Sequence, residues 1–268
     1  MSKGKMKTAC LITGSVLLAA ALIIPGYAKI ELETCVGAWL LDEGSGEVAR
    51  DYSGNGNDGK LVNGPKWVKG KFGWALSFDG VDDYVILPPI TSTNWEGLTL
   101  VAWVWLEQLP KELPSSWDEI LGSNQDLYDM YLDRRWNELR VKVTTTLGAQ
   151  RPGIPAAMLR KHQWIHVAGI YDGQAVKIYM NGKLVDTHNL QGVINGVQYS
   201  SIGAQGGPNG PFTDFHKGLI DEVALFKTAL SEDDLQVIMN EGLGVALGIT
   251  PVSPLGKLAS TWAVLKKR

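Results

Sequence analysis

The segment from Asp51 to Gly59, DYSGNGNDG, sets oxygen-bearing side chains at alternating positions, Asp51, Ser53 and Asn55, with glycines between them. A hard cation such as calcium takes roughly six to eight oxygens from carboxylates, amides, hydroxyls and carbonyls. The opening of the segment copies an EF-hand loop, yet Val62 stands where the closing bidentate glutamate belongs. A calcium site here therefore needs a carboxylate from elsewhere in the chain. The alternative is a glycine-rich turn in which the Asp and Asn side chains bond their own backbone. A second acidic cluster, DGVDDYV from Asp79 to Val85, reads as two strands meeting at a turn, with a ligand-binding calcium loop as the alternative.

Other chemistry is harder to build. HQWIH, His162 to His166, has the histidine spacing of a zinc-protease helix, but Gln163 occupies the place of the glutamate base and the segment reads as a strand entrance. Glycoside hydrolysis needs two carboxylates facing one cleft. The nearest acids, Asp118 and Glu119 in WDEI, are adjacent and point to opposite faces of a strand. No phosphate loop and no nucleophile elbow occurs.

Aromatic residues offer a binding chemistry instead. Rings cover the apolar face of a pyranose while Asp, Asn or Gln bridge its hydroxyls. Trp103 and Trp105 lie two apart on an apolar run and share a face opposite Leu100 and Val104. The less regular stretch from Glu107 to Arg151 adds Trp117, Tyr128, Tyr131, Trp136 and Arg140. Trp105, Tyr131 and Trp136 are the candidate ligand residues, with simple burial of the tryptophans as the competing reading.

The elements that must position these residues are mostly strands. LTLVAWVWL (Leu98 to Leu106) and WIHVAGIY (Trp164 to Tyr171) are β-branched and aromatic and too short for typical helices. After the second come VKIYM, then Asn181-Gly182, then KLVDTH, a sequence that predicts a three-strand antiparallel meander turned by a type I′ hairpin. One helix is expected in LSEDDLQVIMNEGL, with Ser231 as N-cap, acids in its first turn and Gly242 or Gly244 as its stop. Many strands with one short helix predict an all-β sandwich.

The termini differ from this body. Lys3, Lys5 and Lys7 precede an apolar run from Ala9 to Ile24 and then PGYAK, the order of a secretory signal peptide over residues 1–28, with an uncleaved anchor as the alternative. Loss of Cys10 with that leader leaves Cys35 alone, so no intramolecular disulfide staples the exported chain. The formal charge of −3, more acidic once the leader lysines are gone, argues against nucleic acid or anionic membrane as a partner. Residues 244–268, including SPLGKLASTWAVLKKR, form a tail that could become a second helix and dock another exported protein.

Six segments, AWLLDEGSG, DYSGNGNDGKL, GKFGWALSFDGVDDYV, LTLVAWV, WIHVAGIYDGQAVKIYMNGKLV and GLIDEVALFKTALSEDDL, occur in that order. Together, over residues 29–243, they resemble the laminin-G-like, concanavalin-A-like modules of secreted bacterial proteins. The resemblance implies a two-sheet antiparallel jelly roll whose first and last strands lie side by side, near WLLDE and IDEVALF. It implies a binding module rather than an enzyme, frequently carrying one structural calcium. On that implication Asp51, Asn55 and Asp221 are the expected metal ligands, with Glu222 as the alternative to Asp221. The expected function is recognition of a glycan or glycosylated surface outside the cell or in the periplasm. The alternatives are a protein-interaction or adhesion domain and a hydrolase assembled from distant loops.

Overall fold

The computed structural model describes residues 30–123, 127–207 and 211–249. The expected leader and the tail beyond residue 249 lie outside them. Among the described residues no helix is long and apolar enough to cross a membrane.

Two antiparallel sheets pack face to face. The first runs Lys183–Asn189, Ala175–Met180, Trp164–Tyr171, Leu98–Leu106, Lys217–Phe226, Trp74–Asp79 and Lys66–Lys69, with Cys35–Trp39 added against Lys217–Phe226. The second runs Gly148–Gln150, Glu138–Thr145, Tyr128–Asp133, Trp117–Ser123, Ser200–Ile202, Tyr84–Ile86, Gly59–Val62 and Val48–Ala49, with Gly153–Pro155 against Glu138–Thr145. The expected meander forms the outer strands of the first sheet, and Asn181 and Gly182 both take positive φ, 48° and 72°, as the hairpin requires. The first and last strands pair as expected, with Trp39 opposite Val223 and Ala38 opposite Ala224.

Leu98–Leu106 shows why the apolar run is nearly continuous. Leu98, Leu100, Ala102, Val104 and Leu106 face the core between the sheets, while Val101 faces a second cluster on the outer side. A strand covered on both faces loses the polar alternation of a half-exposed one. Truncating Leu100, fully buried, to alanine costs about 2–5 kcal/mol.

The helix Glu232–Glu241 supplies the outer cover. Asp234 N–H donates to Ser231 Oγ at 3.1 Å and Ser231 N–H donates to Asp234 Oδ2 at 3.0 Å, a reciprocal cap for two otherwise unpaired amides. Its buried Leu235 and Ile238 pack with Val101, Ala168, Ala224 and Phe226. Leu243, Ala246 and Leu247 belong to the same cluster, so the packed body continues past the boundary at residue 243 that composition suggests. Cys35 is buried in that cluster too, and desolvation pushes its thiol up to about 12.

Candidate functional site

The outer face of the second sheet is polar and charged. On Tyr128–Asp133 the inward residues Tyr128, Met130 and Leu132 join the core, which turns Asp129, Tyr131 and Asp133 outward. Cross-strand register sets Tyr131 between Glu119 and Arg140, Asp133 between Trp117 and Glu138, and Asp129 beside Lys142. Arg140 Nε lies 3.0 Å from Glu138 Oε2, and Lys142 Nζ lies 3.7 Å from Asp129 Oδ2. Burial pushes the Tyr131 phenol well above its ordinary value; Glu119 adds to that and the guanidinium groups of Arg151 and Arg140 oppose it.

The turn from Asp133 to Glu138 lifts an indole over this face. Asp133 Oδ1 accepts the Trp136 amide at 3.0 Å, and Asn137 takes φ 61°, so Trp136 projects outward at 56% exposure. Arg140 and Arg135 place their guanidinium carbons 5.0 and 5.7 Å from the centre of the Trp136 ring. Trp117, 43% exposed, stands across the cleft. A hollow of about 550 Å³ lies between Trp117, Tyr131, Trp136, Arg135, Arg140 and Arg151, within the size range of small-ligand sites. A larger one, about 760 Å³ beside Gly148–Gln150 and Asp172–Lys177, has no aromatic lining, and its Lys177 and Asp172 pair with each other at 2.8 Å.

Tyr131 and Trp136 are thus brought together, and Trp105 is not. Trp105 lies on the outer face of the first sheet, on the opposite side of the sandwich. Its Nε1–H donates to Glu107 Oε1 at 3.1 Å, and its ring meets Trp164 edge-on at 5.9 Å. Its neighbour Trp103 is buried under Lys71 and Phe72. Trp117 and Arg151 complete the cleft instead, and only strand register brings them there.

Of the expected metal ligands, Asp51 and Asn55 stay together in the opening loop, both bonded to Ser53 Oγ. Asp51 Oδ1 accepts the amides of Ala38 and Ser53 at 3.0 and 2.9 Å, and its Oδ2 accepts Ser53 Oγ–H at 2.8 Å and the Asn57 amide at 2.9 Å. Asn55 Nδ2–H donates to the Cys35 and Val36 carbonyls. The opening loop is therefore a turn clasped to the first strand, with Asp51 already saturated by donors.

Asp221 sits in other company. Lys217–Phe226 borders Trp74–Asp79 over its first half and Cys35–Trp39 over its second, and between them the pairing with Leu98–Leu106 slips at Asp221 to Ala224. Glu222 takes φ 53° in that bulge, so two acidic residues fall between the core-facing Ile220 and Val223. Asp221 is fully buried; its Oδ2 accepts the amides of Lys71 and Phe72, and its Oδ1 has no hydrogen-bond partner among the described residues. Burial, then the charges of Glu222 and Asp42, hold its carboxyl well above the usual range. Asp42 Oδ1 accepts the Trp74 amide at 2.8 Å, and Glu222 Oε2 accepts the Leu243 amide. Glycine is required here: a Cβ at Gly73 (φ 61°) would stand 1.9 Å from Asp42 Oδ1, and one at Gly70 would stand 2.6 Å from Asp221 Oδ2. The charges of Asp42 and Glu222 thus act on a buried carboxylate whose Oδ1 is orphaned, and carboxylate oxygens are the donor type a hard divalent cation takes.

The remaining candidates are structural in their contacts. Asp79, Asp82 and Asp83 bring carboxylate oxygens within 4.8 Å of one another, but Asp79 Oδ1 and Asp83 Oδ2 accept turn amides. His162 is exposed and pairs with Glu107 at 3.0 Å, while His166 is buried within a strand, so HQWIH forms no helix. Asp118 and His216, 2.5 Å apart, make a buried pair that sequence reading does not anticipate, since the two are 98 positions apart.

Known proteins share this architecture. The solved binding domain of Paraclostridial Mosquitocidal Protein 1 superposes with TM-score 0.61 at 13% identity, over 78% of this chain and 52% of that one. The binding domain of botulinum neurotoxin serotype D gives TM-score 0.58 at 11% identity, over 78% and 52%. The chain thus spans about half the length of the toxin domains it matches. Domain 4 of the extracellular arabinanase AbnA from Geobacillus stearothermophilus, solved with arabinotriose, gives TM-score 0.51 at 19% identity, over 77% of this chain and 98% of that one. At these identities the likeness establishes the fold. No curated protein matches the sequence. A family model described as the concanavalin A-like lectin/glucanases superfamily matches residues 79–236, more than half of the chain. With two antiparallel sheets, paired terminal strands and that match, the chain belongs to the concanavalin A-like lectin/glucanases superfamily.

Proposed function

We propose that the protein is an exported, non-catalytic module that binds a saccharide in the cleft bounded by Trp117, Tyr131 and Trp136. The observation that carries this reading is the pair of outward indoles, 43% and 56% exposed, that line one hollow together with Tyr131, Asp133 and Arg140. Exposed rings of this size are costly in water unless a partner covers them, and sugar C–H faces are suitable covers. The arabinanase domain solved with arabinotriose supplies a precedent within the same fold. Titration calorimetry against saccharides selected on a glycan array tests the reading. Trp117→Ala and Trp136→Ala should each weaken binding roughly tenfold or more, and Trp105→Ala should leave it unchanged. Equal binding by all three variants would refute it.

We further propose that a calcium ion joins Asp42, Asp221 and Glu222, a relocation from the Asp51 loop. The support is the orphaned Asp221 Oδ1 among three buried or half-buried acids. The ion's role is to neutralise that cluster where the last strand changes neighbours, so that the sandwich holds without a disulfide.

A protein partner is the second reading, since a related toxin domain, botulinum neurotoxin DC, is solved in complex with rat synaptotagmin II. Removing residues 250–268 would abolish partner capture in that case and leave saccharide binding intact.

A further inference from the structure

The cleft is positive in a chain that is not. Three arginines, Arg135, Arg140 and Arg151, line it against a single carboxylate, Asp133, while the whole chain carries a formal charge of −3. The three differ in how they are held. Arg140 is fixed by Glu138 at 3.0 Å and Asp133 at 3.9 Å and is half-buried. Among the described residues no carboxylate pairs with Arg135 or Arg151, and both are exposed. Arg135 lies against the Trp136 ring, and Arg151 is close enough to Tyr131 to pull its phenol down.

This distribution is selective. A neutral sugar needs ring faces and hydroxyl partners; from two unpaired guanidinium groups at the rim it gains only the weaker hydrogen bonds of a neutral acceptor. An anionic substituent gains charge-assisted, bidentate hydrogen bonds from each of them. Resting on the saccharide reading of this cleft, we infer that its ligand is an acidic saccharide, with a sugar ring packed on Trp117 and Trp136 and its anionic group held by Arg135 and Arg151. Arg140, paired with Glu138, packs on the Trp136 ring, and the two exposed arginines meet the charge.

Calorimetric titration of the whole protein tests this with matched pairs: trigalacturonate against its methyl ester, and a sulfated heparin disaccharide against its desulfated form. The expected result is that the charged member of at least one pair binds roughly tenfold tighter than its neutral partner. That preference should shrink in higher salt and vanish in Arg135→Gln/Arg151→Gln. Arg134→Gln, exposed on the same turn but outside the cleft lining, should keep it. If neutral saccharides bind and neither pair discriminates, the acidic assignment is overturned and the saccharide reading stands. If no saccharide of either kind binds, both fall.

Discussion

Lys71 and Asp221 are 150 positions apart, yet the Lys71 amide donates to Asp221 Oδ2 at 2.8 Å. That bond ties the loop after Lys66–Lys69 to the bulge where the last strand changes neighbours, and it leaves the second oxygen of Asp221 buried and unpaired. A cation there would complete the link. Adding calcium to chelated protein should raise the melting temperature. A stabilisation of about 2.7 kcal/mol at a hundredfold excess over Kd corresponds to roughly 5–10 °C in a domain of this size. Asp221→Asn should abolish the response, measured by calorimetric scanning with and without EDTA. An unchanged melting temperature in wild type would remove calcium from the account.

Asp51 has a different task, and a different variant isolates it. Its two oxygens accept four donors from Ala38, Ser53 and Asn57. Asp51→Ala should lower stability by about 2–4 kcal/mol in urea denaturation while leaving the calcium response in place. Loss of that response in Asp51→Ala would return the ion to the opening loop.

Gly73 probes the acidic cluster from the other side. Its φ of 61° and the 1.9 Å approach of a Cβ to Asp42 Oδ1 leave no room for a side chain. Gly73→Ala should destabilise the fold by about 1–3 kcal/mol and weaken the calcium response. Gly54→Ala, also at positive φ but with open space around it, should cost stability and keep the response.

His166 gives the fold a dependence on pH. It is fully buried, neither ring nitrogen is hydrogen-bonded among the described residues, and desolvation lowers it from 6.5 to about 4. A depressed folded value means the unfolded chain takes up the proton first. The stabilisation from keeping His166 neutral is therefore complete above 6.5 and is lost as pH falls from there towards 4. Between pH 7.5 and 4.5 the wild type should lose about 2–3 kcal/mol more than His166→Gln, read from urea midpoints. Parallel losses in both proteins would contradict the assignment.

The sequence made some of this legible for clear reasons. The Asn181-Gly182 hairpin and the Ser231 cap are local chemistry, where a few neighbouring residues determine the backbone. Tyr131 and Trp136 were recoverable because they lie within one hairpin. Arg151 was not, because it reaches the cleft only after Gly148–Gln150 folds back on Glu138–Thr145. Trp105 falls on the other side of the sandwich from Tyr131 and Trp136, which alternation could not show, since it tells which residues share a face but not on which side that face lies. Asp42 carries no local signal, since its neighbours Asp221 and Gly73 are distant in sequence.

A crystal structure with a saccharide selected by array is the most direct test of the central claim. The sugar is expected on the outer face of the second sheet, its ring against Trp117 or Trp136 and within hydrogen-bonding reach of Arg135 or Arg151. Density for the sugar beside Trp105 and Trp164, or in the hollow at Asp172–Lys177, would contradict it.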